Sequence, residues 1–269
     1  MLEAEIREGL RRLQPDVPWA HHFDLGFGIE TVSPTEEKFY SKAVGLRKLG
    51  DFLVDLVRDH TQRRTFSGLR ALDVASGEGA HSIRMAQLGA DVLGVEGRQL
   101  YVDRATFVAS VLGFSNVRFR QADVRRVGAD DLGKFELVLC SGILHHLGSE
   151  SFAPMLRTLA DLTQDTLVLY THISTPASVE RFRLKGPLTT PSGHQGYLFR
   201  EHDEKSKPAE RLQKVRASID NPTSFWATEE TLLMALREAG FRSIVQLRLP
   251  HLFSAYADAA YRPLLVVRK

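Results

Sequence analysis

Apolar residues recur along this chain at two spacings, and the changes between them mark its organisation. Over residues 1–14, Leu2, Ile6, Leu10 and Leu13 fall on one helical face. Pro15 and Pro18 end that helix. Residues 19–34 mix aromatics, His and Gly without a period and read as an ordered loop. A second amphipathic helix is expected from about Thr35 to His60. Short apolar runs then alternate with helical patterns. Strands are expected near 69–75, 91–96, 116–120, 135–141 and 165–171. Helices are expected near 80–89, 98–113 and 149–162, with a weak element around 125–133. This alternation predicts a parallel sheet covered by helices.

After Thr171 the pattern breaks. Residues 172–227 are polar, contain Pro176, Pro187, Pro191, Pro208 and Pro222, and offer no buried-strand run. A solvated helical lid explains Ala209–Ile219 as well as an RNA groove does. Thr228 then reads as the N-cap of a helix with Glu229 and Glu230 in its first turn and Gly240 as its stop. Two strands follow, near 241–249 and 261–268, separated by Pro250–Ala260. The layout is a helical cap over 1–66, an α/β core over 67–171, a lid insertion over 172–227 after the fifth strand, and a return to the core sheet over 228–269.

Composition narrows the function classes. A chain of 269 residues is long enough for one large α/β domain with an insertion. The net charge of +2 gives no whole-molecule case for nucleic acid or an acidic membrane surface. Cys140 is the sole cysteine, which excludes an intramolecular disulfide and a cysteine-built zinc site. The first residues lack the apolar core of a signal peptide, and no apolar run approaches the roughly 18 residues needed to cross a bilayer, so a cytoplasmic protein is expected.

The chemistry lies in Asp73-Val74-Ala75-Ser76-Gly77-Glu78-Gly79 and in Glu96 at the end of the next strand. A glycine turn after one strand and an acid about twenty residues on build a nucleoside-binding crevice. Small residues at 75, 77 and 79 let a ligand approach the backbone, and Glu96 can accept hydrogen bonds from a ribose diol. A dinucleotide and S-adenosylmethionine both suit such a crevice. The dinucleotide fingerprint wants a third glycine where Ser82 stands, and the chain has no second mononucleotide-binding half.

With these residues in view, the segment 69–171 resembles the class I S-adenosylmethionine-dependent methyltransferases. Asp73 to Gly79 resembles their first motif, with Ala75 in place of its first glycine. The resemblance implies that Asp73 and the backbone of Ala75, Ser76, Gly77 and Gly79 hold the methionine end of S-adenosylmethionine. It assigns Glu96, followed by Gly97, to the ribose, and Asp123 and Val124 of Gln121-Ala122-Asp123-Val124 to the adenine. Phe135 to Leu147 resembles the fourth motif, which puts Cys140 and Ser141 beside the cofactor. The family's sheet ends in an antiparallel strand between two neighbours, and Thr228–Lys269 fits that ending. The fold expected is therefore α/β, a Rossmann-like doubly wound sheet with a final antiparallel strand. A more local similarity, carried by Gly142-Ile143-Leu144-His145-His146 and by Ser224-Phe225-Trp226-Ala227-Thr228, is to a branch holding small-molecule methyltransferases and tRNA wobble-uridine carboxymethyl-transfer enzymes.

Methyl transfer to a hydroxyl needs a base, and a neutral imidazole serves at neutral pH. His145 and His146 follow the fourth strand at the lip of the crevice and are the catalytic candidates. His22, His172, His194 and Tyr197 are candidates for touching the substrate. A metal site from His194, Glu201 and His202 is conceivable, but nothing in their spacing demands it, so no metal is expected. The basic residues of 172–227 are interleaved with acids and few aromatics, which favours a lid over an RNA groove. The expectation is O-methylation of a small molecule. Modification of a tRNA base by methyl or carboxymethyl transfer and non-catalytic cofactor binding are the alternatives.

Overall fold

The computed structural model describes residues 1–13, 17–214, 217–248 and 260–269, apart from the Lys38 side chain. Its contacts fall into two compact units, residues 1–123 and 124–269.

The first unit runs α1 (Glu3–Arg12), α2 (Glu37–His60), β1 (Arg70–Val74), α3 (Ala80–Gln87), β2 (Asp91–Glu96), α4 (Gln99–Val111) and β3 (Val117–Gln121). β2 lies between β1 and β3 and is parallel to both, with Val95 opposite Val74 on one side and Arg120 on the other. Four of the five β1 residues are buried, as a strand covered on both faces requires. On α4 the buried Tyr101, Val102, Ala105, Val108 and Ala109 recur at helical spacing. On α1 the expected stripe is only partly used, for Ile6 and Leu13 are buried while Leu2 is exposed.

The second unit runs α5 (Ala129–Leu132), β4 (Phe135–Ser141), a 3-10 turn (Leu144–His146), α6 (Ser149–Leu162), β5 (Thr163–Tyr170), α7 (Pro176–Phe182), β6 (Lys185–Thr189), β7 (Gln195–Arg200), α8 (Pro208–Gln213), β8 (Thr223–Ala227), α9 (Glu229–Glu238), β9 (Ser243–Leu247) and β10 (Leu264–Arg268). β4 and β5 are parallel. β10 lies between β5 and β9 and runs antiparallel to both, with Val266 opposite Val168 and Val245. The Rossmann-like α/β class with a late antiparallel strand is therefore the observed one. Thr228 caps α9 by accepting the Thr231 amide at 3.2 Å, and Gly240 follows the helix with φ +100°.

The segment 172–227 departs from expectation. It holds three strands, β6, β7 and β8, paired antiparallel in that order. β6 and β7 are mostly exposed or half-buried, so their hydrophobic pattern is faint. Ser224 to Ala227 is the buried run of β8 and leads directly into the Thr228 cap of α9. The helix expected over 209–219 covers only Pro208–Gln213, and Val215 and Arg216 lie outside the described residues, as does most of the 250–260 connection. Trp226 organises this region: it stacks on Phe199 at 5.2 Å and meets Phe182 and His172 edge-on at 5.2 and 4.8 Å.

Candidate functional site

β1 ends in a turn whose shape is set by three left-handed residues: Ala75 at φ 59°, Gly77 at 55° and Gly79 at 81°. The two glycines serve different needs. A Cβ on Gly79 would lie 2.7 Å from the Phe119 ring and 3.0 Å from Ala105, so Gly79 is needed for packing against β3 and α4. A Cβ on Gly77 would meet only His21, at 3.9 Å, so Gly77 is the position that leaves room for a ligand.

Carboxylates hold this turn from two sides. Glu96, at the end of β2, accepts the Gly77 amide at 3.0 Å and the Arg98 amide at 2.8 Å. Burial pushes its pKa up, opposed by those amide bonds. Asp73 is fully buried and accepts the Ser82 hydroxyl at 2.6 Å. Burial pushes Asp73 up to about 6, and bonds from the hydroxyl and amide of Ser82 oppose the rise. Ser82 is the third residue of α3, whose N-cap, Gly79, has no side chain. Asp73 thus caps α3 from the neighbouring strand and shapes the turn.

Ala122 donates to the Glu96 carbonyl at 3.0 Å, which sets the Ala122-Asp123 step beside the end of β2. Asp73, Ala75, Ser76, Gly77, Gly79, Glu96, Gly97 and Asp123 therefore gather at the carboxyl ends of the three parallel strands of the first unit. The Ser76 hydroxyl is buried with no hydrogen-bond partner among the described residues. A diol-accepting carboxylate, the open side of Gly77 and this orphan hydroxyl fit a nucleoside-bearing cofactor. The other expected contacts belong to the second unit: Val124 is buried, Cys140 is sealed within β4 and Ser141 ends that strand.

Sequence reasoning missed Glu78 and Arg104. Both are buried and form an ion pair at 2.8 Å. Glu78 also accepts the Ala20 amide at 3.0 Å and the His21 amide at 2.9 Å, and Arg104 donates to the carbonyls of Leu13, Val17 and Pro18. Trp19 lies over the Arg104 guanidinium at 4.5 Å. The middle residue of the glycine turn thus ties residues 17–21 to the turn itself. The available signal was an acid inside a glycine turn. His22 lies 3.2 Å from Glu30 and packs on Tyr40 at 5.1 Å.

In the second unit His145 and His146 occupy the 3-10 turn after β4. His145 is buried, stacks on His172 at 3.9 Å, and accepts the His172 amide at its Nδ1 at 3.2 Å. Burial, then His172 and His146, hold His145 well below the ordinary histidine range; burial, then Arg262 and His146, do the same for His172. A neutral ring with its Nδ1 engaged and no exposure supports its neighbours, so His145 does not meet the expectation of a base at the lip. His146 differs. Its Nδ1 lies 2.7 Å from Glu201, its ring remains partly exposed, and Nε2 has no hydrogen-bond partner among the described residues. Asn221 fixes its main chain by donating to the His146 carbonyl at 3.0 Å.

His194 is buried with Ser192 at 2.8 Å on Nδ1 and Glu238 at 3.2 Å on Nε2, so neither nitrogen is left for a substrate. His202 bonds the Ser218 carbonyl at 2.7 Å. Among the described residues no group of three or more His, Cys, Asp or Glu could hold a metal, so His194, Glu201 and His202 form no such site. Tyr197 is half-buried on β7, opposite Trp226.

A family model described as a methyltransferase domain matches residues 65–175. By that match, residues 65–175 form a methyltransferase domain. Over 100 residues the chain is 36% identical to the glycine/sarcosine N-methyltransferase of Parasynechococcus marenigrum (strain WH8102), covering 35% of this chain and 30% of that protein. Over 105 residues it is 32% identical to the ubiquinone biosynthesis O-methyltransferase of Caulobacter sp. (strain K31), covering 39% and 40%. The chain spans about a third of the length of the curated relatives it matches. Among solved structures it is similar to the N-terminal domain of EvdMO1 with SAH bound, at 24% identity and a TM-score of 0.71, covering 100% of this chain and 96% of that one. It is also similar to magnesium protoporphyrin IX methyltransferase from Synechocystis PCC 6803, at 18% identity and a TM-score of 0.57, covering 98% and 94%. These two likenesses concern the fold.

Proposed function

We propose that the protein transfers a methyl group to a hydroxyl oxygen of a small molecule. The observation that carries the reading is the Glu96 carboxylate bonded to the Gly77 amide across an otherwise open turn, because it places a diol acceptor beside bare backbone. When bound, S-adenosylmethionine supplies an electrophilic methyl group on a sulfonium. Glu96 would hold the ribose, the Ser76 hydroxyl and Gly77 backbone the methionine end, and Asp123 the adenine. His146, with a free Nε2, takes the proton of the acceptor hydroxyl. Oxygen is favoured over nitrogen because a neutral amine attacks without losing a proton first, whereas a hydroxyl gains from a base.

The same reading gives residues 19–47 the task of covering the cofactor, supported by the hold of Glu78 on the Ala20 and His21 amides. It gives the segment 172–227 the choice of acceptor, with Tyr197 and His172 as candidate contacts, and it sets the protein in the cytoplasm with the buried Cys140 in no disulfide. No helix among the described residues is long and apolar enough to cross a membrane.

The test combines binding and turnover. Glu96→Ala should weaken calorimetric binding of the demethylated cofactor by about 1–3 kcal/mol. His146→Ala should lower kcat about 10²–10⁴-fold with little change in cofactor affinity. Tight NAD binding without a response to the sulfonium cofactor would sink the reading. An activity that collapses steeply with salt when Arg181, Arg183 and Lys185 are neutralised would favour an RNA acceptor instead.

A further inference from the structure

Glu201 directly follows β7, and its side chain is almost wholly buried, yet no lysine or arginine pairs with it among the described residues. Burying a carboxylate costs several kcal/mol unless donors surround it. Three donors do. The Oε1 atom lies 2.7 Å from His146 Nδ1 and 2.7 Å from the Ser224 hydroxyl, and Oε2 accepts the Ser218 amide at 3.2 Å. The donors come from the turn after β4, from β8 and from the loop before β8, so this carboxylate is built in from three directions.

We infer that Glu201 is a positioning residue that fixes the tautomer of His146, holding its proton on Nδ1 so that Nε2 keeps a lone pair for the acceptor. This rests on His146 being the base of the proposed reaction. A carboxylate only accepts, so the bond at Oε1 requires Nδ1 to donate. In a neutral imidazole the other nitrogen must then be the acceptor. When Nε2 takes the acceptor's proton, the ring becomes a cation bonded to the Glu201 anion, which stabilises it as the oxygen–carbon bond forms and the carbon–sulfur bond breaks.

Glu201→Gln separates this role from packing. The Ser218 amide can only donate, so the glutamine oxygen must stay on that side. Its NH2 then faces His146 and Ser224. The Ser224 hydroxyl can rotate to accept, but Nδ1 can accept only by giving up its proton, which moves to Nε2. The shape is kept and the lone pair is on the wrong nitrogen.

The experiment is nitrogen NMR on histidine-labelled protein, paired with turnover of methyl-radiolabelled S-adenosylmethionine against a panel of phenols and sugar hydroxyls. Calorimetry with the demethylated cofactor serves as the check on folding. In the wild type, His146 should show a protonated Nδ1 and a bare Nε2. Glu201→Gln should invert that pattern and lower kcat at least about 10²-fold, with KM and cofactor affinity within about twofold. Ser224→Ala leaves the carboxylate in place and should keep the wild-type tautomer. A wild-type tautomer or wild-type kcat in Glu201→Gln overturns the inference. If His146→Ala retains kcat while Glu201→Gln still inverts the ring, the base assignment has failed, and the catalytic role of Glu201 fails with it.

Discussion

Asp73 is a single residue whose burial has a sign that can be measured. The folded state raises it to about 6 from an ordinary value of 3.8, so the folded protein binds its proton more tightly than the unfolded chain does. Its contribution to stability is complete below pH about 4 and is lost as pH rises through about 6. Two pKa units correspond to about 3 kcal/mol. Asn in its place has no proton to lose. Denaturant titrations from pH 4 to 6 should therefore show the wild type losing about 2 kcal/mol of this relative to Asp73→Asn. Parallel curves for the two proteins would mean that Ser82 holds the carboxylate well enough to cancel the burial.

At the scale of elements, the buried Glu78–Arg104 pair joins the turn after β1, the helix α4 and the strap 17–21. Arg104→Met should cost about 3–5 kcal/mol, because Glu78 is left as a buried charge without its partner. The damage should reach the strap first, since the Leu13, Val17 and Pro18 carbonyls lose their donor and Trp19 its cation. Limited proteolysis should then cut within 17–24 at protease levels that leave the wild type intact there. Replacing Glu78 and Arg104 together by Gln and Met should destabilise less than Arg104→Met alone, because no charge stays buried. Equal losses would reject the account.

Over the whole molecule, the paired rings of His145 and His172, together with His81, which burial pushes down to about 3, weaken the fold in acid. All three are held neutral in the folded state, while in the unfolded chain they take a proton near pH 6.5. The unfolded state therefore binds more protons below that pH, and stability falls with each unit of acidification by up to about 1.4 kcal/mol per histidine. Melting temperature should hold steady above pH 7 and drop progressively below 6.5. A His145→Phe, His172→Phe double variant should shrink that drop to the share of His81, since neither of the paired rings can be charged. A wild type with an unchanged melting temperature down to pH 5 would show that the stack accepts a proton in place. Asp73 acts in the opposite sense below pH 6, so the histidine slope is cleanest between pH 6.5 and 6.

The amino-acid sequence by itself determined the alternating core. Period and punctuation located β1 to β5, α3, α4, α6 and the cap at Thr228, because all of these elements but the edge strand β3 bury a full face and local hydrophobic spacing reports that burial. It also located the glycine turn and Glu96, since a close backbone approach leaves few residue choices. Only the tertiary structure decided the rest. β6 and β7 escaped the reading because half-exposed strands carry a faint pattern, and the buried run of β8 is held by cross-strand aromatics such as Trp226 on Phe199. Gly79 as a packing residue and Glu78 as an anchor depend on partners far along the chain, and Asp73 as a cap depends on the turn that brings Ser82 back to it. The same holds for the pair His145 and His146. Adjacent in sequence and alike in chemistry, they are separated in role because one ring is buried against His172 while the other meets the Glu201 carboxylate, 55 positions away.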